Sequence, residues 1–336
     1  MLRMRKSFLM LMALWLHSVA AAAAPAKAVT PEIWFFLRPY AMTAHGVDGR
    51  QGWQRLFLQT DTPWPPFMSH VRVVAFAGNF KTVPDDVLVK TFAKLEERHI
   101  GFAIESLAQS WVGFPEHCGR GVEGYTDPPG NAHVARKVKA AGGELTYVTM
   151  DGPLASGHYY DGPNACHDPI PVVAARAAAV MREYKKVFPN VRIGDTEPFP
   201  ALTKHPTWRR DYQEWMRAFE KAYGEPIAFL NMDVNWPQDN GQWRASLRQA
   251  AAFARTNRLP VGVIYNTAIP GGAKSDGQWL ASAVGNFTAV ERGLGIVPDK
   301  ALFESWAFFP KRSIGDESGP GEDYLVKQYL RLHGAK

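Results

Sequence analysis

Cysteine is scarce in this sequence, with Cys118 and Cys166 the only two among 336 residues. Two cysteines exclude a disulfide-rich scaffold and any zinc site built from four thiolates. The i, i+4 histidine pair of zinc hydrolases is also missing. We therefore expect no resident metal, with one alternative left open, a calcium ion held by Asp151, Asp161 or Asp233.

The chain also lacks the short motifs that identify three common enzyme classes. It has no nucleophile elbow, no phosphate-binding glycine loop and no dinucleotide fingerprint in a strand–turn–helix setting. These absences argue against an esterase, a kinase and a dehydrogenase. We therefore expect no cofactor.

Long apolar runs are absent beyond residue 28. Before that point Arg3, Arg5 and Lys6 precede a short apolar run over residues 7–16 and an alanine-rich end, which is the pattern of a secretory signal peptide. The run is too short to persist as a membrane anchor, so we expect residues 1–28 to be cleaved and the product to be secreted or periplasmic. Cleavage lowers the formal charge by four, from +6 to +2, which argues against a nucleic-acid or membrane partner.

Short apolar runs rich in β-branched and aromatic residues alternate with amphipathic helical patterns. Strands and helices in alternation predict βα units and a parallel sheet. Eight strands predict a single-domain (β/α)8 TIM barrel over residues 29–336, with an open doubly wound sheet as the alternative. Residues 39–70 hold one short helical candidate, so the first crossover should be irregular. The predicted strands are 33–37, 71–78, 100–105, 145–150, 191–197, 227–233, 261–266 and 302–309.

Loop lengths indicate which end of the barrel is functional. Loops before the strands are short, whereas loops after them are long and rich in Trp, Tyr, His, Asp and Pro. Barrels of this kind carry their sites at the C-terminal ends of the strands. Burying an unpaired carboxylate costs several kcal/mol, so acids at those ends indicate an active site. They are Glu105, Asp151, Asp195, Glu197, Asp233 and Glu304.

Glu197 and Glu304 are the predicted catalytic pair. Pro198 ends the strand and fixes the backbone where Glu197 emerges, whereas Asp195 is predicted to be a support residue. Glu304 follows three strands later. Retaining glycosidases use two carboxyls about 5–5.5 Å apart, one protonated and one ionised. We therefore predict Glu197 as acid/base and Glu304 as nucleophile.

Aromatic and polar side chains near the strand ends are predicted to bind the substrate. An exposed ring can stack on the apolar face of a sugar, so the expected partner of this monomer is a carbohydrate. An exported chain with two cysteines further predicts a Cys118–Cys166 disulfide, with two separate thiols as the alternative. The predicted binding residues are Glu105, Trp111, His158, Tyr159, Trp236, Tyr265, Asn266 and Trp306.

Several segments, among them CGRGVEGY (118–125), FPNVRIGDTEP (188–198) and FLNMDVNW (229–236), resemble a group of secreted bacterial proteins similar to glycoside-hydrolase barrels. The resemblance implies a glycosidase. This chain departs from the group at two positions. Gly152 stands where the group commonly has a Glu, and Glu304 stands where the group commonly has a Gln. These departures leave open an inverting hydrolase that uses Glu197 with Asp233 or Asp151. Gly152 also leaves open a non-catalytic barrel that binds glycan in exopolysaccharide or cell-wall handling. A further alternative is a polysaccharide lyase or sugar-modifying enzyme that uses a Tyr/His pair such as Tyr159 and His158.

Overall fold

The computed structural model describes residues 30–40, 49–59, 63–77, 83–106, 118–126, 128–236, 242–267, 269, 272–316 and 319–334. The signal peptide expected over residues 1–28 lies outside this part of the chain. The described strands are β1 Glu32–Leu37, β2 Val71–Ala77, β3 Gly101–Ser106, β4 Tyr147–Asp151, β5 Arg192–Phe199, β6 Leu230–Val234, β7 Val261–Tyr265 and β8 Lys300–Phe303. The described α-helices are α1 Gly49–Trp53, α2 Asp85–Glu97, α3 Pro128–Ala140, α4 Ile170–Val187, α5 Trp208–Tyr223, α6 Gln242–Thr256, α7 Asp276–Thr288 and α8 Glu322–Leu332.

The described strands form a closed parallel barrel in chain order. Closure is made by β8, which pairs with β1 in the register Ile33↔Ala301. The TIM barrel prediction is confirmed, and the open sheet is excluded because β1 has a neighbour on both sides. Pro31–Lys336 forms one compact unit. No helix in the described part of the chain is long and apolar enough to cross a membrane.

The first crossover is irregular, as the sequence indicates. Between β1 and β2 the described residues form the five-residue α1, a π-helical turn at Gln54–Leu58 and a 3-10 turn at Pro66–Ser69. The other crossovers each contain an α-helix of at least 11 residues. The regular packing of helices around the barrel therefore starts at α2.

Helix α5 shows how the outer layer is built. Trp208, Tyr212, Trp215 and Phe219 recur every three or four residues, so they share one buried face. The helix ends at Gly224, whose φ of 98° is left-handed and suits glycine. The buried face packs against β5 through side-chain hydrogen bonds to that strand.

The barrel lumen is closed at its N-terminal end. The Nζ of Lys300 lies 5.4, 5.2 and 5.1 Å from the ring centroids of Trp34, Tyr147 and Phe229. Glu32 Oε1 accepts hydrogen bonds from Lys300 Nζ at 3.0 Å and from Trp34 Nε1 at 2.6 Å. These three rings, which pack tilted or edge-to-face on one another, and the ion pair fill the lower lumen, so access to the interior is from the C-terminal mouth.

Candidate active site

Strand alternation divides the strand-end acids into two groups. Ala103 of β3 packs in the lumen cluster, and Glu105 follows two residues later, so both face the lumen. Glu304 likewise follows Leu302 by two residues. Asp151 and Asp233 follow Tyr147 and Phe229 by four, an even spacing that again gives the lumen face. The lumen-facing acids, here called the mouth carboxylates, are Glu105, Asp151, Asp233 and Glu304.

The mouth carboxylates hold protons unusually tightly. Burial, followed by the charges of neighbouring carboxylates, raises the pKa of Glu105 to about 8 and that of Asp233 to about 7. The same causes raise the pKa values of Asp151 and Glu304 well above their ordinary values. Protonated carboxyls near neutral pH are what a general acid requires. No group of three or more His, Cys, Asp or Glu among the described residues is arranged to hold a metal ion.

Glu304 lies beside a buried cation. The charge of Arg38 opposes the rise in the pKa of Glu304. Arg38 also donates from Nη1 to Ala307 O at 3.1 Å and from Nη2 to Pro310 O at 2.9 Å, which holds the segment after β8. The buried Oε2 of Glu304 accepts no hydrogen bond from any described residue. This oxygen is therefore a buried acceptor without a partner among the described residues.

Glu197 lies on the other side of the barrel wall. A β-carbon at Gly194 would overlap the Phe229 ring, so position 194 faces the lumen and positions 195 and 197 face the helices. Glu197 is fully buried, and its two oxygens accept the backbone N–H groups of Leu154 at 2.8 Å and Ala155 at 3.0 Å. The structure thus does not bring Glu197 into the mouth with Glu304, in contrast to the expected pairing.

The contacts of Asp195 agree with a support role. Its Oδ2 accepts hydrogen bonds from Tyr212 Oη at 2.7 Å and from Trp215 Nε1 at 2.8 Å, both on α5. Its Oδ1 has no hydrogen-bond partner among the described residues. Burial raises the pKa of Asp195 to about 7, against the opposing effect of the two hydrogen bonds. Asp195 therefore joins β5 to α5 and takes no place in the mouth.

Two predicted binding residues lie in the helix-side core. Tyr265 is fully buried on the outer side of β7 and donates its hydroxyl to Glu291 Oε1 at 2.9 Å. Trp236 is 5% exposed and packs edge-on against Trp243, with ring centroids 5.0 Å apart. Both rings are therefore packed in the core and not exposed at the mouth, because a ring at a strand end serves equally well as part of the core. Trp111, a third predicted binding residue, lies outside the described residues.

The other predicted binding residues lie around the mouth. Asn266 follows the lumen side of β7 by alternation from Ile264, and Trp306, just after Glu304, is 54% exposed. His158 and Tyr159 end a π-helical turn after β4. The Nδ1 of His158 lies 2.8 Å from Asp168 O, and Tyr159 donates to Asp211 Oδ2 at 2.6 Å. These two side chains are therefore held by structural contacts.

One acid near the mouth, Glu123, was not predicted from the sequence. Its charge raises the pKa values of Glu105, Asp151 and Asp233. Glu123 follows no strand, so the rule that identified the other acids could not find it. The available signal was its closeness in the chain to Cys118, whose predicted disulfide to Cys166 is confirmed, with the Cα atoms 5.1 Å apart.

Comparisons with known proteins identify the fold. No family model matches the chain, and no curated protein matches it significantly. The structure is similar to xylanase XynB from Paenibacillus barcinonensis, with a TM-score of 0.50 and 12% identity over 88% of this chain and 95% of that chain. It is also similar to fungal β-1,4-galactanases, with a TM-score of 0.50 and 13% identity over 78% and 88%. The fold that these structures share with this chain is the (β/α)8 barrel. At this identity the similarity carries no residue roles.

Proposed function

We propose that this protein is an exported glycoside hydrolase that cleaves an oligo- or polysaccharide with its mouth carboxylates. The observation that carries the proposal is the convergence of lumen-facing acids with raised pKa values at the open end of the barrel. Carboxyls of this kind perform glycoside hydrolysis. The similarity to xylanase and galactanase barrels supports a glycan substrate, and the Cys118–Cys166 disulfide supports an oxidising compartment.

Asp151 is the general acid in this proposal. Burial and the charges of four neighbouring carboxylates all favour its protonated form. A proton held in this way can be delivered to the leaving glycosidic oxygen. Asp151 also ends β4, so its backbone is held by the barrel wall.

Glu304 is the proposed partner, and it has to give up its proton to act. Its pKa lies well above the ordinary value, chiefly because of burial, and the charge of Arg38 opposes that rise and favours ionisation. As nucleophile it gives a retaining reaction, and as base it gives an inverting one. Glu105 and Asp233 then bind sugar hydroxyls or share the proton between steps, and Trp306 offers an exposed ring for stacking.

Glu197 supports the acid indirectly. Its carboxylate binds the backbone N–H groups of Leu154 and Ala155, which open the helical turn after Asp151. N–H groups at the start of a helix lack partners within the helix, and an acceptor there stabilises it. We therefore assign Glu197 as a positioning residue for the β4 end.

The test is the release of reducing ends from xylan, β-1,4-galactan and a panel of other polysaccharides. Asp151→Asn and Glu304→Gln should each lower kcat by about 100-fold or more, because removing a general acid or its partner typically costs that much. Glu220→Gln is the matched control, since Glu220 is exposed near the far end of α5. Its activity should equal that of the wild type.

Two outcomes would contradict the proposal. Full activity in both the Asp151→Asn and Glu304→Gln proteins would remove these residues from the chemistry. Retention of the wild type in affinity gels without new reducing ends would instead identify a glycan-binding barrel. The anomeric form of the first product, read by proton NMR, separates the retaining role of Glu304 from the inverting one.

A further inference from the structure

The segment of residues 118–126, here called the tethered loop, is fastened to the chain that follows β4. The Cys118–Cys166 disulfide is its covalent link. Beside it, Gly119 N–H donates to Asn164 O at 2.7 Å, and Asn164 Nδ2 donates to Arg120 O at 2.8 Å. Three links within three residues of the loop fix its first half on the β4–α4 segment.

The second half of the tethered loop has its own anchor. Tyr125 is buried and donates its hydroxyl to Asp168 Oδ2 at 3.4 Å. Asp168 is ion-paired with Arg176 of α4 at 2.6 Å, and the Arg176 guanidinium lies 5.8 Å from the Tyr125 ring centroid. The loop is therefore held at both ends, with Glu123 between the two anchors.

Glycines let this loop approach the end of β4 closely. A β-carbon at Gly124, where φ is +80°, would lie 3.0 Å from Gly152 O and from Pro153 Cα. A β-carbon at Gly152 would lie 3.9 Å from Glu123 Oε2. The Glu123 carboxylate thus lies over the residue that directly follows Asp151. A larger side chain at position 124 would push the loop away from this place.

Glu123 differs from the mouth carboxylates in its exposure. The residue is exposed, yet enough protein surrounds its carboxyl for burial to raise its pKa. Its charge in turn raises the pKa values of Asp151 and Asp233. A carboxyl that meets both the solvent and the acid cluster is suited to contact an incoming ligand.

We propose that Glu123 is a fifth, substrate-contacting carboxyl of the site, and that the Cys118–Cys166 disulfide is the element that positions it. The inference rests on the proposed glycosidase function for its substrate part. The placement of Glu123 beside Asp151 stands on the geometry of the tethered loop. The two parts can therefore be tested separately.

The first experiment compares wild type, Glu123→Gln and the Cys118→Ser/Cys166→Ser double variant by kcat/KM against pH on a cleaved polysaccharide. Both changes should lower kcat/KM at least tenfold. They should also move the basic limb of the profile to lower pH, because withdrawing one negative charge lowers the pKa of the neighbouring acid. Glu220→Gln should change neither quantity. An unchanged profile in Glu123→Gln would overturn the proposal.

The second experiment needs no substrate and uses 13C NMR to titrate the side-chain carboxyls of the same proteins. Glu123→Gln should shift the titrations of Asp151 and Asp233 to lower pH, and unchanged titrations would overturn the placement. The Cys118→Ser/Cys166→Ser protein can be replaced, if it does not fold, by Tyr125→Phe and Asn164→Ala, which remove side-chain hydrogen bonds of the tethered loop. Each should shift the titrations of Asp151 and Asp233 in the same direction by a smaller amount. Shifted titrations in a protein that cleaves no glycan would leave the placement standing and refute substrate contact together with the proposed function.

Discussion

Asp195 should make the stability of this protein depend on pH in a direction that a single substitution can isolate. The side chain is fully buried, and one oxygen accepts both hydrogen bonds from α5 while the other has no partner among the described residues. Burial raises its pKa from 3.8 to about 7. An asparagine oxygen can accept the same two bonds, and the amide cannot ionise.

The direction of this pH dependence follows from the pKa of Asp195 in the folded and unfolded states. Because the pKa of Asp195 is higher in the folded state than in the unfolded state, the folded state binds the proton more tightly. The resulting stability is fully present below about pH 4 and is lost as the pH rises through about 7. The full loss is at most about 4 kcal/mol, at about 1.4 kcal/mol per pH unit, and about 3 kcal/mol of it falls between pH 5 and pH 8.

Urea unfolding at pH 5, 6, 7 and 8 measures this loss. The free energy of unfolding of Asp195→Asn, relative to that of the wild type, should rise by about 3 kcal/mol between pH 5 and pH 8. The reason is that the carboxamide stays uncharged throughout. The mouth carboxylates are present in both proteins, so their contribution cancels in the difference. The charge of Asp195 also raises the pKa of Glu197, so its removal changes the titration of Glu197 in the direction that adds to the gain. Glu220→Gln, a change at an exposed position, should follow the wild type. A difference between Asp195→Asn and wild type that is equal at all four pH values would refute the reasoning.

Three other substitutions test the placement of side chains. Lys300→Met should lower the free energy of unfolding by about 1–3 kcal/mol in urea, because it removes a buried cation from three rings and from Glu32. Tyr265→Phe should cost about 1 kcal/mol and leave kcat unchanged, since the hydroxyl bonds Glu291 on the helix side. Trp306→Ala should raise KM several-fold without lowering the melting temperature, since the side chain is 54% exposed. A KM above that of the wild type in Lys300→Met or Tyr265→Phe would contradict these placements. So would a wild-type KM in Trp306→Ala.

Most strands and helices of the barrel could be predicted because each one is specified by the residues of its own segment. Each strand is a short apolar run and each crossover helix a periodic one, and these patterns act within about ten residues of chain. The one weak crossover, before β2, is irregular in the structure for the same reason, since no long amphipathic pattern is present there. The mouth could also be located, because acids followed strands at one end.

The side of the wall that each residue faces could not be read in the same way. Successive strand residues point to opposite faces, so one residue of difference reverses the assignment. Glu197 lies two residues before the end of β5 and Glu304 directly follows β8. Glu197 nevertheless binds backbone N–H groups on the helix side, whereas Glu304 faces the lumen. Tyr265, the last residue of β7, likewise faces the helix side.

The sequence by itself determined the eight-stranded barrel, the end at which the acids gather and the disulfide, because hydrophobic periodicity, loop length and a single possible cysteine pair carry that information. Tertiary structure alone decided which acids meet. Gly194 can face Phe229 only if Glu197 faces out. Glu123 reaches Asp151 only because a disulfide and two close glycines bring a distant loop there. Contacts between residues far apart in the chain set the chemistry of this site, and no local pattern encodes them.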